Sequence, residues 1–131
     1  MVIDSSAIVA IIVEEEEREL FKDLILHTPS AVMSVVSLVE CSIVLAGKRT
    51  NYDPARLDDT ISTLRIGVRP VDLHQGELAR MAFARFGRGR GTAQLNFGDC
   101  FAYALAKARE DTLLFKGGDF LKTDIVPAWR P

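Results

Sequence analysis

Four short apolar stretches, each separated from the next by a helix-length segment, constrain this chain more than any other feature. Val2-Ile3, Ala31 to Ser34, Ile66 to Val71 and Thr112 to Phe115 read as strands. The segments between them carry helix start and stop signals. Ala7 to Ile12 reads as a short helix, and a second, opened by the acids Glu14 to Glu17, ends near His27. Ser34 can cap a long helix through Leu45, closed by Gly47 ahead of the basic pair Lys48-Arg49. Asp53-Pro54, an N-cap followed by proline at the first helical position, predicts a helix to about Leu64. Asp72-x-x-Gln75 has capping-box spacing and starts a helix to about Phe86. Asn96-x-x-Asp99 starts another, in which Phe97, Phe101 and Leu105 recur with the period of one buried face. Ile125-Val126 reads as a short fifth strand. Strands alternating with helices predict βαβ units, hence an α/β domain with a mostly parallel, four- to five-stranded sheet and helices on both faces.

Length and composition narrow the class. At 131 residues, with no repeats or linkers, one domain over 1–131 is expected. A net charge of -2 argues against gripping nucleic acid by bulk charge alone. Asp4 interrupts any basic leader, and the apolar run Ala7 to Val13 is too short for a membrane span. Cys41 and Cys100 lack metal-ligand spacing and read as small buried hydrophobes in a reducing cytosol, so the expected location is cytoplasmic. His27 ends one helix and His74 starts another, which suits neither as a general base. A Ser/His/Asp triad, a Cys/His pair and a P-loop all lack their residues.

What remains is a set of carboxylates. Glu40 has Val36, Ser37, Ile43 and Val44 as its helical neighbours, a largely apolar face on which an unpaired charge costs several kcal/mol. Asp4 closes the first strand, and Asp119 follows the fourth after Gly117-Gly118. Taken singly, Asp4 and Asp99 can be helix caps and Asp119 a turn residue. In a parallel sheet, however, both strand ends share the rim where ligands bind, and a helix start such as Asp99 can face it. Two unit charges 4 Å apart repel by about 4 kcal/mol at an effective dielectric of 20. Such a cluster calls for cations, and an all-oxygen donor set suits Mg²⁺ or Mn²⁺. The chemistry that follows is phosphodiester hydrolysis. Nearby, "RFGRGRGTA" carries Arg85, Arg88 and Arg90, which with Lys107, Lys116 and Lys122 can hold the phosphates of a polynucleotide.

These residues resemble a known family. "MVIDSSAIVAII", Glu40 in "SLVECSIVLAGK", "LNFGDCFAYALAKA" and "LLFKGGDFLKTDI" occur in the order found in PIN-domain ribonucleases, most closely the VapC toxins of VapBC toxin–antitoxin systems. The resemblance implies a PIN-like three-layer domain and a metal-dependent endoribonuclease acting on structured RNA such as transfer or ribosomal RNA. It implies Asp4 and Asp99 as principal metal ligands, Glu40 as the helix acid completing the cluster, and Asp119 as a later supporting acid. Ser6 matches the hydroxyl residue that hydrogen-bonds the first Asp. A VapB-type antitoxin and a homodimer are implied as well, with Leu20, Leu24 and Ile25 offering an apolar surface to an amphipathic partner helix. Two positions depart from the pattern: Ser5 stands where Thr is frequent, and Gly118 where Asn or Asp often precedes the late Asp. The rival readings are a catalytically silent PIN-fold module that binds RNA or a partner, and a phospho-acceptor receiver domain using Asp72 and Lys116. The receiver leaves Glu40 and Asp99 unexplained.

Overall fold

The strands are short, two or three residues each. The computed structural model describes residues 1–48 and 52–130; Arg49 of the basic pair lies outside them. Strands β1 (Val2–Ile3), β2 (Val32–Ser34), β3 (Gly67–Arg69) and β4 (Leu113–Leu114) form one parallel sheet in the order β3-β2-β1-β4. Val2 pairs with Val32 on one side and Leu113 on the other, Ile3 with Leu114, and Met33 with Val68. Alternation along each strand divides the core in two. Ile3, Met33 and Leu114 pack with Ile8, Phe21, Ile25, Leu45 and Leu57, from helices α1 (Ser5–Ile12), α2 (Arg18–His27), α3 (Val35–Lys48) and α4 (Ala55–Thr63). Val2, Val32 and Leu113 pack on the opposite face with Ala79, Tyr103 and Leu105 of α5 (Leu73–Phe86) and α6 (Phe97–Arg109). The result is the three-layer α/β arrangement that the alternating pattern predicts.

Local signals set most helix starts. Asp72 Oδ1 accepts from the Gln75 N–H at 2.8 Å, and Asn96 and Asp99 close a reciprocal capping box. Asp53 Oδ1 accepts from the Ala55 N–H at 2.9 Å at the head of α4. Tertiary packing overrides propensity in α1, whose Ile- and Val-rich sequence is buried from Ala7 to Ile12.

Several expectations are corrected. Ile125-Val126 forms no fifth strand: β4 meets this segment through a single parallel bridge, Leu113 to Pro127, with Leu113 N–H donating to Val126 O and Ala128 N–H to Leu113 O. Proline has no N–H with which to extend a ladder. Glu14 to Glu17 do not open α2, which begins at Arg18; Glu14 sits at φ 64, and the acids form the turn between two helices. Gly47 does not close α3, which continues to Lys48. Phe97 is 74 % exposed, so the buried face of α6 runs through Cys100, Tyr103 and Ala104 rather than through Phe97. Glu40 is likewise on no core face: α3 buries Ser37, Cys41 and Leu45, whereas Ile43 is 68 % exposed. Among the described residues no helix is long and apolar enough to cross a membrane.

Candidate active site

Strand order places a crevice between β1 and β4. The chain runs outward from β1 through β2 to β3, then returns to the other side of β1, and ligands in open α/β sheets bind at such a reversal, beyond the carboxyl ends of the strands. Asp4 stands there as the N-cap of α1, its N–H donating to Leu114 O at 2.9 Å. Its carboxylate is 1 % exposed. Oδ2 accepts from the Ser6 N–H at 2.9 Å and from the Ser6 hydroxyl. Ser6 Oγ accepts in turn from the Lys116 N–H at 3.0 Å, so one hydroxyl ties the acid to the chain leaving β4. Oδ1 of Asp4 is buried without any hydrogen-bond donor.

Asp99 approaches from α6. Its Oδ2 accepts from the Asn96 N–H at 2.8 Å, the return half of the capping box, and it is 8 % exposed. Glu40 reaches across from α3, where its Oε2 accepts from Ser5 Oγ at 2.6 Å. Gly98 provides the room: a methyl at its Cα would collide with both Glu40 oxygens. Asp119 is exposed at the start of a 3₁₀ turn over Asp119–Lys122. All four acids line one cleft of about 370 Å³, together with Ser5, Ser6, Glu15, Lys48, Asn96 and Lys116.

The electrostatics follow from this crowding. Burial, reinforced by the charge on Glu40, raises the Asp4 carboxyl to about 6 against the pull of its Ser6 hydrogen bonds. Burial first, then the charges on Asp4, Glu40 and Asp119, raises Asp99 to about 7, opposed by the Asn96 N–H. These are anionic sites with too little positive charge of their own. A buried acceptor without a donor costs about 1–3 kcal/mol, a cost that a cation bound at Asp4 Oδ1 would relieve. Among the described residues no three His, Cys, Asp or Glu side chains stand together as a ready-made ligand group. The cleft does offer carboxylate and hydroxyl oxygens, the donor type that hard divalent cations take. The donors present therefore fit a divalent cation.

The basic residues divide. Lys116 lines the cleft, yet its Nζ lies 2.6 Å from Glu15 and 2.7 Å from Glu17, which raises its pKa and lowers that of Glu17. The acids before α2 thus hold a lysine at the cleft mouth, a role that sequence reasoning did not assign them. Arg85, Arg88 and Arg90 are not on the cleft wall. Arg85 lies 3.8 Å from Asp124 and stacks on Phe86, Arg90 sits over Phe83, and Arg88 forms no salt bridge among the described residues. Asp72 is spent capping α5, outside the cleft, so the receiver reading loses its acceptor. Ser5 and Gly98 are the site residues that sequence reasoning missed. The available signals were a second hydroxyl directly after Asp4 and a glycine in the first turn of a helix.

The PIN domain family matches residues 1–126. A protein named Ribonuclease VapC from Mycolicibacterium smegmatis is 41% identical over 126 residues, covering 96% of this chain and 98% of that one. In three dimensions, Mycobacterium tuberculosis VapC20, described as a sarcin-ricin loop cleaving toxin, superposes with a TM-score of 0.74 at 18% identity over 99% of this chain and 98% of its own. A toxin-antitoxin complex from Klebsiella pneumoniae gives 0.72 at 15% identity, over 99% and 98%.

Proposed function

Because this chain belongs to the PIN-domain family, and within it to the VapC ribonucleases, we propose that it is the endoribonuclease toxin of a toxin–antitoxin pair, hydrolysing RNA phosphodiester bonds with Mg²⁺, or Mn²⁺ in its place. The observation that carries the reading is the cleft itself, in which Asp4, Glu40, Asp99 and Asp119 face one volume around a buried carboxylate oxygen that has no donor. Asp4 and Asp99 hold the ion, with Glu40 and Asp119 completing the acidic set. A divalent ion bound there supplies an activated water and neutralises charge on the phosphate. The protein's own part is orientation. Ser6 fixes Asp4, Asn96 fixes Asp99, and the sheet rim leaves the cleft open to a polymer.

The test is cleavage of structured RNA by the purified chain in Mg²⁺, silenced by EDTA and restored by Mg²⁺ or Mn²⁺. RNA binding without metal-dependent cleavage would instead support the silent binding module. The same preparation tests the grip on substrate. Arg88 and Arg90 are exposed on the loop after α5, whereas Arg85 and Lys116 must first give up carboxylate partners to reach a phosphate. Replacing Arg88 and Arg90 with Ala is expected to weaken RNA binding and flatten its salt dependence by about 0.7–0.9 per lost contact in log–log slope, with turnover at saturating RNA changing less. An unchanged slope would remove the loop from the RNA path.

Two protein partners belong to this reading. A VapB-type antitoxin is expected to close the cleft with a basic side chain, since a guanidinium pairs bidentately with carboxylates. For its apolar contact, Leu20 is exposed and Leu24 half-buried, whereas Ile25 belongs to the core. A homodimer is favoured by the outer face of α3, where Val35, Val39 and Ile43 form an exposed apolar row one helical turn apart. Ile43→Glu is expected to shift sedimentation equilibrium towards monomer; a parent that is already monomeric at tens of micromolar would end that proposal. The cytoplasm is the compartment in which such an enzyme meets its RNA.

A further inference from the structure

The four cleft acids are not secured alike. Asp4 and Asp99 have short side chains held by partners two or three residues away in sequence, Ser6 and Asn96. Glu40 has a longer side chain with three rotatable bonds, and it enters from the side of a helix rather than from a strand end. Among the described residues its carboxylate receives one hydrogen bond, from Ser5 Oγ at 2.6 Å, across 35 residues of sequence. Ser5 is itself buried as the first residue of α1. The same carboxylate rests against the bare Cα of Gly98, where any Cβ would overlap it. The Ser5 donor and the close Gly98 backbone together restrict where this carboxylate can lie.

We propose that Ser5 and Gly98 are positioning residues for Glu40, setting its carboxylate at the cleft for the divalent ion. The inference rests on the metallonuclease reading above. The two consecutive hydroxyls then serve different acids: Ser6 holds Asp4, and Ser5 holds Glu40. A serine hydroxyl has a single hydrogen to donate, so Ser5, committed to Glu40, donates to nothing else. Partners that orient a metal ligand in this way typically change affinity for the ion 10- to 100-fold when removed.

The experiment is Mn²⁺ titration of the full chain without RNA, followed by loss of the free-ion electron paramagnetic resonance signal. Ser5→Ala and Gly98→Ala are each expected to weaken Mn²⁺ binding by about 10-fold or more. Ser5→Thr, which keeps the donor, is expected to restore binding to within about threefold of the parent. In a Glu40→Ala background Ser5→Ala is expected to cause no further loss, because the side chain it positions is already gone. Melts in EDTA verify that each variant is folded, and if Gly98→Ala does not fold, the Ser5 cycle decides alone. Parental affinity in Ser5→Ala, or the same loss with and without the Glu40 carboxylate, would overturn the proposal while leaving the nuclease reading intact. A parent chain that neither binds Mn²⁺ nor cuts RNA would overturn the reading beneath it as well.

Discussion

Asp99→Asn is expected to lower Mg²⁺-dependent RNA cleavage by on the order of 10³-fold or more, while the metal-free variant melts above the parent. The two effects share one cause. Burial first, and then the charges on Asp4, Glu40 and Asp119, oppose ionisation of Asp99 and raise it to about 7. Below about pH 4 the carboxyl is neutral in folded and unfolded chains alike and contributes nothing. Between about pH 4 and pH 7 the unfolded chain gives up this proton first, so stability falls as pH rises. Above that window the loss is complete. Asp4, raised to about 6, adds a loss of the same sign over a slightly lower range. An amide at position 99 can still accept from Asn96 but carries no charge, so the gain is of order 2–4 kcal/mol at pH 8 and vanishes near pH 4. Mg²⁺ should stabilise the parent by mass action and the variant much less. Melts at pH 5 and pH 8, with and without Mg²⁺, check each part. A variant that still cuts within tenfold of the parent would remove Asp99 from the site.

The second large effect is on cells. Expression of this chain alone is expected to arrest growth, co-expression of the antitoxin from the neighbouring reading frame to relieve the arrest, and Asp4→Ala to be harmless at matched abundance. Asp4→Ala removes the innermost carboxylate of the cleft together with the hydrogen-bond acceptor for Ser6. Losing that N-cap costs about 1 kcal/mol, offset by the departure of a buried charge, so the variant should remain folded and a thermal melt verifies it. Equal harmlessness of parent and variant without the partner would argue against a toxin.

How far this was legible in the sequence depends on the reach of each interaction. The caps at Asp72 and Asn96 are contacts over three residues, and short spacings show them directly. Of the candidate acids only Glu40, interrupting an apolar run, stood out alone; Asp4, Asp99 and Asp119 each had an ordinary local reading as cap or turn and drew notice only because a parallel sheet brings them to one rim. Long-range partners leave no such trace. Nothing near Ser5 announces Glu40, and nothing in Glu14 to Glu17 announces Lys116, about a hundred residues away. Periodicity also misled at Phe97: a four-residue repeat reveals that a helix has an apolar face, whereas which residues of it are covered is decided by the neighbours that pack there. The fifth strand failed for a local reason that was legible, the proline at 127.

The pairing of β1 with β4 sets the order in which this protein can acquire its activity. Val2 meets Leu113 and Ile3 meets Leu114, contacts separated by more than a hundred residues, whereas α1 to α4 can pack on β1 and β2 from within the first half of the chain. Long-range parallel pairings close late, because their loop entropy must be overcome before any contact rewards it. Only that closure brings Lys116 against Ser6 and Asp119 to the rim where Asp4 waits. A refolding chain is therefore expected to recover helical signal before it recovers cleavage, which stopped-flow dichroism against timed RNA cleavage would check.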